Sequence, residues 1–345
     1  MRFLFTRLFT LLSLQLTACG SPTTFPPDES DEPSADDSGS ATLDTTPVAE
    51  DTNSSDETTP SRDTATDDAA PAADTAPPEC YRELWNPSAS LADLKSGYTS
   101  SKWKTTALEA LNRRYPDGFA LLDAMRDDAD LPRFASTGSF ASLMESIDTM
   151  CHEEGHGWDF NAALKTSGRH VFWMRKDLAL QIPKTLGYFP RSELLPYIKD
   201  DATSLYDGTY LKGTQGSYDF VFLGDELTQY INGLACVTTV GSEVKTYGTS
   251  FRDGAAAHLL YLEWYLNRAR TAHAPLYEKM KASPDLQKVV RYWWARGHFW
   301  TEASKPFPSF GIKDKQIWEK VNAKENLAEI QLFTGDSPAT VACKP

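Results

Sequence analysis

The chain has 345 residues, a formal net charge of −14 at pH 7 and a sequence pI near 4.9. Nearly all of this charge lies in one segment, because residues 20–79 hold sixteen Asp and Glu against one Arg, whereas residues 80–345 are almost neutral. The folded part therefore lacks the basic excess that nucleic-acid binding requires, so no nucleic-acid partner is expected, and the low pI says nothing about a substrate.

The first nineteen residues predict an export signal. Arg2 and Arg7 precede an apolar run from Leu8 to Leu16 that is too short to span a membrane. The next residues complete Leu16-Thr17-Ala18-Cys19, which resembles a bacterial lipobox. This resemblance implies that Cys19 is lipidated and anchors the protein to the membrane. Since no aspartate follows Cys19, it further implies an outer-membrane lipoprotein of the cell envelope, periplasmic or surface-exposed. An ordinary signal peptide is the alternative.

Residues 20–79 differ in composition from the rest of the chain. They consist mainly of Ser, Thr, Pro, Ala and acidic residues, with Phe25 as the only aromatic. Such a segment cannot bury enough apolar surface to offset the conformational entropy lost on folding. We therefore expect a signal peptide over 1–19, a disordered tether over 20–79 and one folded domain over 80–345, which holds all nine Trp and all six His.

Four cysteines remain after Cys19. An even number in an exported protein predicts two disulfides, and three pairings are possible. Cys80 and Cys343 stand at the two ends of the folded domain, and a bond between them leaves Cys151 to pair with Cys236. A free Cys151 thiolate that binds a metal is the alternative.

Periodicity and turn residues predict a mainly helical α+β domain with a small antiparallel sheet. The predicted helices outside the central motif are Leu91–Gly97, Lys102–Arg114, Gly118–Asp127, Ser192–Ile198, Gly254–Arg270, Leu286–Ala303 and Asp314–Asn322. The predicted strands are Arg169–Met174, Leu178–Ile182 and a hairpin of Thr209–Leu211 with Tyr218–Leu223.

A further amphipathic helix is predicted between these elements. Its buried stripe recurs at intervals of three and four residues, as an α-helix requires. Ser139 or Ser136 can cap its start, and Gly157 stands where the helix is expected to end. The stripe consists of Phe140, Leu143, Met144, Ile147 and Met150.

This helix carries His152-Glu153-Glu154-Gly155-His156. Residues four apart share one helix face, so the two imidazoles can bind one metal ion while Glu153 acts as general base on a water. Asp148, one turn before His152, is expected to orient the His152 ring. Two polar histidines on an ordinary helix are the alternative.

These residues resemble the HExxH motif of the zincin superfamily of zinc metallopeptidases. The resemblance implies a zincin-like active-site helix, a bound Zn²⁺ and hydrolysis of a peptide or protein substrate by a metal-activated water. The match has departures. Glu154 is charged where zincins usually carry an uncharged residue, and Asp159 and Ala162 stand where the metzincin branch requires glycine and histidine, which excludes that branch.

A tetrahedral catalytic zinc needs a third protein ligand. In the gluzincin branch a glutamate on a second helix supplies it, and Glu226, in a helix predicted over Leu223–Gly233, matches that role. Tyr230, one turn later, is expected to donate a hydrogen bond to an oxyanion. Gluzincins also carry an aspartate that braces a ligand histidine, but the matching turn here offers Gln229 and Tyr230.

Other residues remain as alternatives. Asp219, Glu263 and His258 are the other candidates for the third ligand, although His258 has the apolar setting of a core residue. His298 and Glu302 share a helix face among aromatic residues, which favours a core position over a substrate wall. The alternative function is a noncatalytic surface-binding or adhesion lipoprotein on a degenerate zincin scaffold, in which a metal is structural or absent.

Overall fold

The computed structural model describes residues 81–245 and 251–338. The predicted signal peptide and tether, with Cys19, Cys80 and Cys343, lie outside these residues. The α-helices in chain order are α1 (Ala92–Ser96), α2 (Trp103–Arg114), α3 (Pro116–Ala124), α4 (Leu131–Phe134), α5 (Phe140–Ala163), α6 (Ser204–Tyr210), α7 (Gly213–Gly216), α8 (Phe220–Thr239), α9 (Phe251–Ala272), α10 (Ala274–Lys281), α11 (Pro284–Ala303), α12 (Asp314–Val321) and α13 (Lys324–Thr334).

Two strands, β1 (Arg169–Arg175) and β2 (Leu178–Pro183), form an antiparallel pair in which Phe172 stands opposite Leu180. Short 3₁₀ helices cover Ser100–Lys102, Arg191–Tyr197, Gly241–Glu243 and Pro308–Phe310. The predicted class, mainly helical with a small antiparallel sheet, is confirmed. Among the described helices, none has the length and hydropathy that a membrane-spanning helix requires.

Helices α5 and α8 share the most extensive helix–helix contact and form the centre of the domain. They approach closely because glycines lie at the contact. Gly155 of α5 faces Gln229 of α8, and a methyl group added at Gly233 of α8 would lie 2.7 Å from Oδ1 of Asp148 on α5. A side chain at either position would force the helices apart.

The start of α5 follows the sequence expectation. The Ser139 hydroxyl accepts a hydrogen bond from the Ser142 N–H at 3.1 Å, and the Ser142 hydroxyl accepts one from the Ser139 N–H at 2.9 Å. This reciprocal pair satisfies two backbone donors that the first turn leaves free. The predicted end at Gly157 is wrong, because the helix continues to Ala163. Gly157 instead makes room for Met125, whose Cε would lie 2.9 Å from an added methyl group.

The hairpin predicted over Thr209–Leu211 and Tyr218–Leu223 is also wrong. The first segment belongs to α6, and the second contains the start of α8. Asp219 accounts for the difference, because its carboxylate accepts a hydrogen bond from the Val221 N–H at 2.9 Å and caps α8. A capped helix end thus occupies the residues whose apolar–polar alternation resembled a strand.

Candidate metal centre

His152 and His156 of α5 and Glu226 of α8 bring three ligand atoms together. The two Nε2 atoms are 3.2 Å apart, and Glu226 Oε2 lies 3.7 Å from Nε2 of His152 and 3.6 Å from Nε2 of His156. Ligands bonded to a tetrahedral zinc ion at ordinary Zn–N and Zn–O lengths stand about 3.3 Å from each other. The three atoms therefore have the spacing of ligands to one ion.

Burial supports the same assignment. His152 is 8 % exposed, His156 4 % and Glu226 6 %. In the part of the chain that the structure describes, the buried Oε2 of Glu226 has no hydrogen-bond partner. A buried carboxylate oxygen without a partner is costly, and a cation beside it would remove that cost. The donor set of two imidazoles and one carboxylate is one that zinc accepts.

The electric field at this cluster favours positive charge. Burial of the His156 ring lowers its pKa, but the charge of Asp225, the hydrogen bond with Asp225 and the nearby carboxylate of Glu226 raise the pKa well above its usual value. Burial raises the pKa of Glu226, but the adjacent rings of His152 and His156 hold that pKa well below its usual range. A field that favours an imidazolium and a carboxylate also favours a divalent cation between them.

Asp225 also lies at the cluster, and it was not among the candidates from the sequence. Its Oδ2 lies 2.8 Å from Nδ1 of His156, the ring nitrogen that faces away from the cluster. A carboxylate at this position accepts a hydrogen bond from Nδ1–H, which keeps the proton on Nδ1 and leaves Nε2 free to bind a metal. The turn after Glu226 carries no aspartate, as the sequence indicated, and the carboxylate beside His156 comes instead from the residue directly before Glu226. The sequence feature that could have identified Asp225 is its position next to Glu226. Neighbouring residues on a helix point about 100° apart, so these two carboxylates can reach two sides of one imidazole.

The three other acidic residues around the motif differ in setting. Glu153 is partly exposed beside the two histidines. Glu154 is buried, and burial together with the charges of Asp128 and Asp130 raises its pKa to about 8. Glu154 is therefore mostly protonated at pH 7, which removes the charge that made it unusual within the motif.

Asp148 does not make the expected hydrogen bond to His152 within the described residues. Its carboxylate packs against Gly233, where helix α8 crosses α5. Burial raises the pKa of Asp148 to about 7, although the charge of His152 partly opposes that shift. Any influence of Asp148 on His152 is therefore electrostatic in this structure.

Tyr230 lies at the cluster, as its position in the sequence suggests. Its ring packs edge-on against His152 with centroids 4.6 Å apart, and its hydroxyl is 2.7 Å from the Tyr210 hydroxyl. The other face of Tyr230 stacks on His258. His258 is fully buried, and burial lowers its pKa to about 3, so it is a neutral core residue as predicted. Tyr210 had no signal in the sequence because its own segment was expected to be a strand.

The remaining candidate ligands do not join the three-atom cluster. Asp219 caps α8, and Glu263 is fully buried elsewhere on α9. His298 is buried on α11 against Trp318, with ring centroids 5.1 Å apart. Among the described residues, a second group of possible ligands consists of Asp159, His170 and Asp225.

A disulfide and a polar network hold α5 against α8. Cys151 and Cys236 lie at disulfide distance, with Cα atoms 6.6 Å apart, which agrees with the expected pairing and removes Cys151 as a metal ligand. Asp159 of α5 accepts hydrogen bonds from the Trp173 N–H of β1 at 2.6 Å and from Nε2 of Gln229 of α8 at 2.8 Å. The network therefore ties β1 to the same pair of helices.

Two surface clefts lie away from the cluster. One, of about 450 Å³, includes Asp200 and Lys320 in its lining, and the other, of about 390 Å³, includes Arg252 and Trp318. Neither is lined by a residue of the histidine cluster.

Comparison of the chain with protein-family models, curated proteins and solved structures found no match.

The Asp225 contact gives a testable expectation. Asp225→Asn is expected to weaken zinc binding by about 10- to 100-fold, because the amide no longer fixes the His156 tautomer by a charged hydrogen bond. Zinc affinity measured by competition with a chromophoric chelator checks this. Asp177→Asn is the control. The exposed carboxylate of Asp177 forms an ion pair with Arg175, and its removal should leave zinc affinity unchanged. Equal affinities for wild type and Asp225→Asn would show that Asp225 does not support the metal centre.

Proposed function

We propose that this protein is an exported, membrane-anchored zinc metallopeptidase with a gluzincin-like site. The observation that carries the proposal is the convergence of His152, His156 and Glu226 at the spacing of zinc ligands, with Glu153 next to them on α5. Three protein ligands leave a fourth position open, which is the arrangement of catalytic zinc sites. A zinc ion bound by these residues would act as a Lewis acid and activate a water toward a peptide carbonyl.

The chain's own residues supply the proton transfers. Glu153 accepts a proton from the attacking water and delivers it to the leaving nitrogen as the C–N bond breaks. The water oxygen then becomes part of the new carboxylate, and the amine leaves as the second product. Asp225 keeps the His156 proton on Nδ1 throughout, so the ligand nitrogen stays available.

Tyr230 stabilises the charge that develops on the carbonyl oxygen. Burial raises the pKa of both Tyr230 and Tyr210 well above the usual value, so both phenols stay protonated at neutral pH. When Tyr210 donates to the Tyr230 oxygen, the Tyr230 proton is free to point at the substrate. The two tyrosines thus act as a donor chain that ends beside His152.

The N-terminal sequence supports the location. A lipidated Cys19 followed by an acidic tether would hold the domain away from an outer membrane, where its substrates are extracellular or cell-wall peptides and proteins.

One observation favours the second candidate, a noncatalytic lipoprotein with a structural metal. The ligand side chains are nearly inaccessible, as the 4 % exposure of His156 shows. A closed zinc site stabilises a fold without turnover.

Metal removal separates the two candidates. The purified protein is expected to bind about one zinc ion per chain, to lose hydrolysis of a mixed peptide library on treatment with a chelator, and to regain it with added zinc. Metal analysis, mass spectrometry of the library and a thermal melt are run on the same samples. Zinc that raises the melting temperature while no peptide is cleaved would reject the peptidase and support the structural role.

A further inference from the structure

Arg191 carries a cationic hydrogen-bond donor that no described residue accepts from. It is fully buried at the start of the 3₁₀ helix Arg191–Tyr197. Its Nε and Nη2 donate to the carbonyl oxygen of Gln215 at 3.2 and 3.0 Å, and Nη2 also donates to Oε1 of Gln215 at 3.0 Å. Its Nη1 is buried and has no hydrogen-bond partner among the described residues. One edge of the guanidinium is thus fixed, and one donor is left over.

Arg191 lies at the edge of the metal centre. Its guanidinium is 5.5 Å from the ring centroid of Tyr210, whose hydroxyl contacts Tyr230, and Tyr230 packs against His152. Two tyrosines therefore connect Arg191 to a metal ligand. Burial lowers the pKa of Arg191, and the carboxylate of Glu226 is the strongest charge that opposes this effect. The charge of Glu226 therefore acts on Arg191 as well as on the two histidines.

The spare donor favours a partner of negative charge. A buried guanidinium N–H without an acceptor is costly, and a carboxylate is the acceptor that an arginine binds most strongly in such a setting. The nearby carboxylates of Asp225 and Glu226 face the histidines, and neither accepts a hydrogen bond from Nη1. A bound ligand that carries a carboxylate would supply the acceptor that the described residues do not.

We propose that Nη1 of Arg191 binds the C-terminal carboxylate of the substrate, so that the protein cleaves peptides near their carboxyl end. This inference rests on the proposed peptidase function. The terminal carboxylate is the one anion that every peptide carries whatever its sequence, and its position would set a constant distance to the cleaved bond. The structure thereby gives the peptidase a substrate class, peptides with a free carboxyl terminus.

The surroundings of Arg191 also suggest the residue that carries this carboxylate. The guanidinium lies 5.7 Å from the ring centroid of Tyr218, and Tyr218 stacks on Phe222 at 4.7 Å. Phe222 is 47 % exposed and stands one helical turn before Glu226. An exposed aromatic surface next to a cationic donor suits an apolar terminal side chain.

The test uses pairs of peptides that end in phenylalanine and differ only in a free or amidated carboxyl terminus. Wild type is expected to cleave the free acids with a kcat/KM about 10- to 100-fold above that of the amides, which is the usual worth of a hydrogen bond to a charged group. Mass spectrometry should find a C-terminal fragment of the same length from peptides of different lengths. In Arg191→Gln the ratio of acid to amide cleavage should fall close to one. Arg252 is another buried arginine and binds Asp314, so Arg252→Gln should keep the wild-type ratio.

The outcomes separate this inference from the peptidase function. If wild type cleaves acid and amide equally, at positions unrelated to the carboxyl end, the inference is overturned and the peptidase stands. This comparison needs no variant, so it decides even if Arg191→Gln fails to fold.

Binding provides a second readout that does not depend on turnover. Calorimetry on the zinc-loaded protein should show N-acetylphenylalanine binding about 10-fold more tightly than its amide in wild type and equally with it in Arg191→Gln. An acid preference that persists in Arg191→Gln would mean that the zinc ion alone holds the carboxylate, and it would overturn the role of Arg191. Absence of any cleavage with a normal acid preference in wild type would instead reject the peptidase function and retain a carboxylate site at Arg191.

Discussion

Glu153→Gln is expected to reduce peptide hydrolysis by about 100- to 10,000-fold while zinc stays bound, because a carboxamide cannot accept the proton of the attacking water. The substitution keeps the size of the side chain and removes none of the three ligand atoms. Glu153 is partly exposed, so the change is not expected to disturb the core. Initial rates on a cleaved library peptide and zinc content per chain, measured on the same preparation, test both parts.

The neighbouring residue offers a matched control for this prediction. Glu154→Gln makes the same glutamate-to-glutamine change one position later on α5. Since burial raises the pKa of Glu154 to about 8, its carboxyl group is mostly protonated at pH 7, and glutamine resembles that protonated form. We expect this variant to keep both activity and zinc. Wild-type rates in Glu153→Gln would remove the general base from the proposed mechanism.

Glu226→Ala is expected to lose zinc, and hydrolysis with it. The loss of affinity should exceed the roughly 10- to 100-fold expected for a residue such as Asp225 that supports a ligand without binding the metal. Two imidazoles of α5 would remain, and they alone do not form the three-ligand set of a catalytic zinc site. Zinc titration against a competing chelator gives the affinity, and circular dichroism shows whether the helices persist.

Glu263→Gln serves as the control for Glu226→Ala. Glu263 is also a buried glutamate, it was a candidate third ligand from the sequence, and it lies outside the histidine cluster. Its variant is expected to bind zinc as wild type does. Retention of zinc by Glu226→Ala, or its loss from Glu263→Gln, would show that the third ligand has been assigned to the wrong residue.

Local patterns predicted the elements that carry the site. The spacing of Phe140, Leu143 and Ile147 correctly predicted an amphipathic helix, and Ser139 caps its start as expected. The two strands after it also appear at the predicted positions, within one residue at their ends. These features depend on residues close in the chain, where periodicity and capping act directly. The end of α5 was misplaced because Gly157 is used for packing against Met125 and not for a helix stop.

Three helices, α4, α10 and α13, were not predicted at all, and the region before α8, which holds α6 and α7, was assigned to strands and turns. In that region the apolar residues Phe220 and Leu223 are buried on a helix, although their spacing also fits the alternation of a strand. Short segments of this kind satisfy both periodicities, and contacts with the rest of the fold select one of them. Because of this error Tyr210 was not recognised from the sequence as a residue of the site.

The sequence by itself determined that His152 and His156 share a face with Glu153 beside them, because helical periodicity is a property of neighbouring residues. Only the tertiary structure decided which distant carboxylates meet them. Glu226 and Asp225 reach the two histidines because α8 crosses α5 at Gly155 and Gly233, where the absence of side chains lets the helices approach. That approach depends on packing between segments far apart in the chain, which no local spacing encodes.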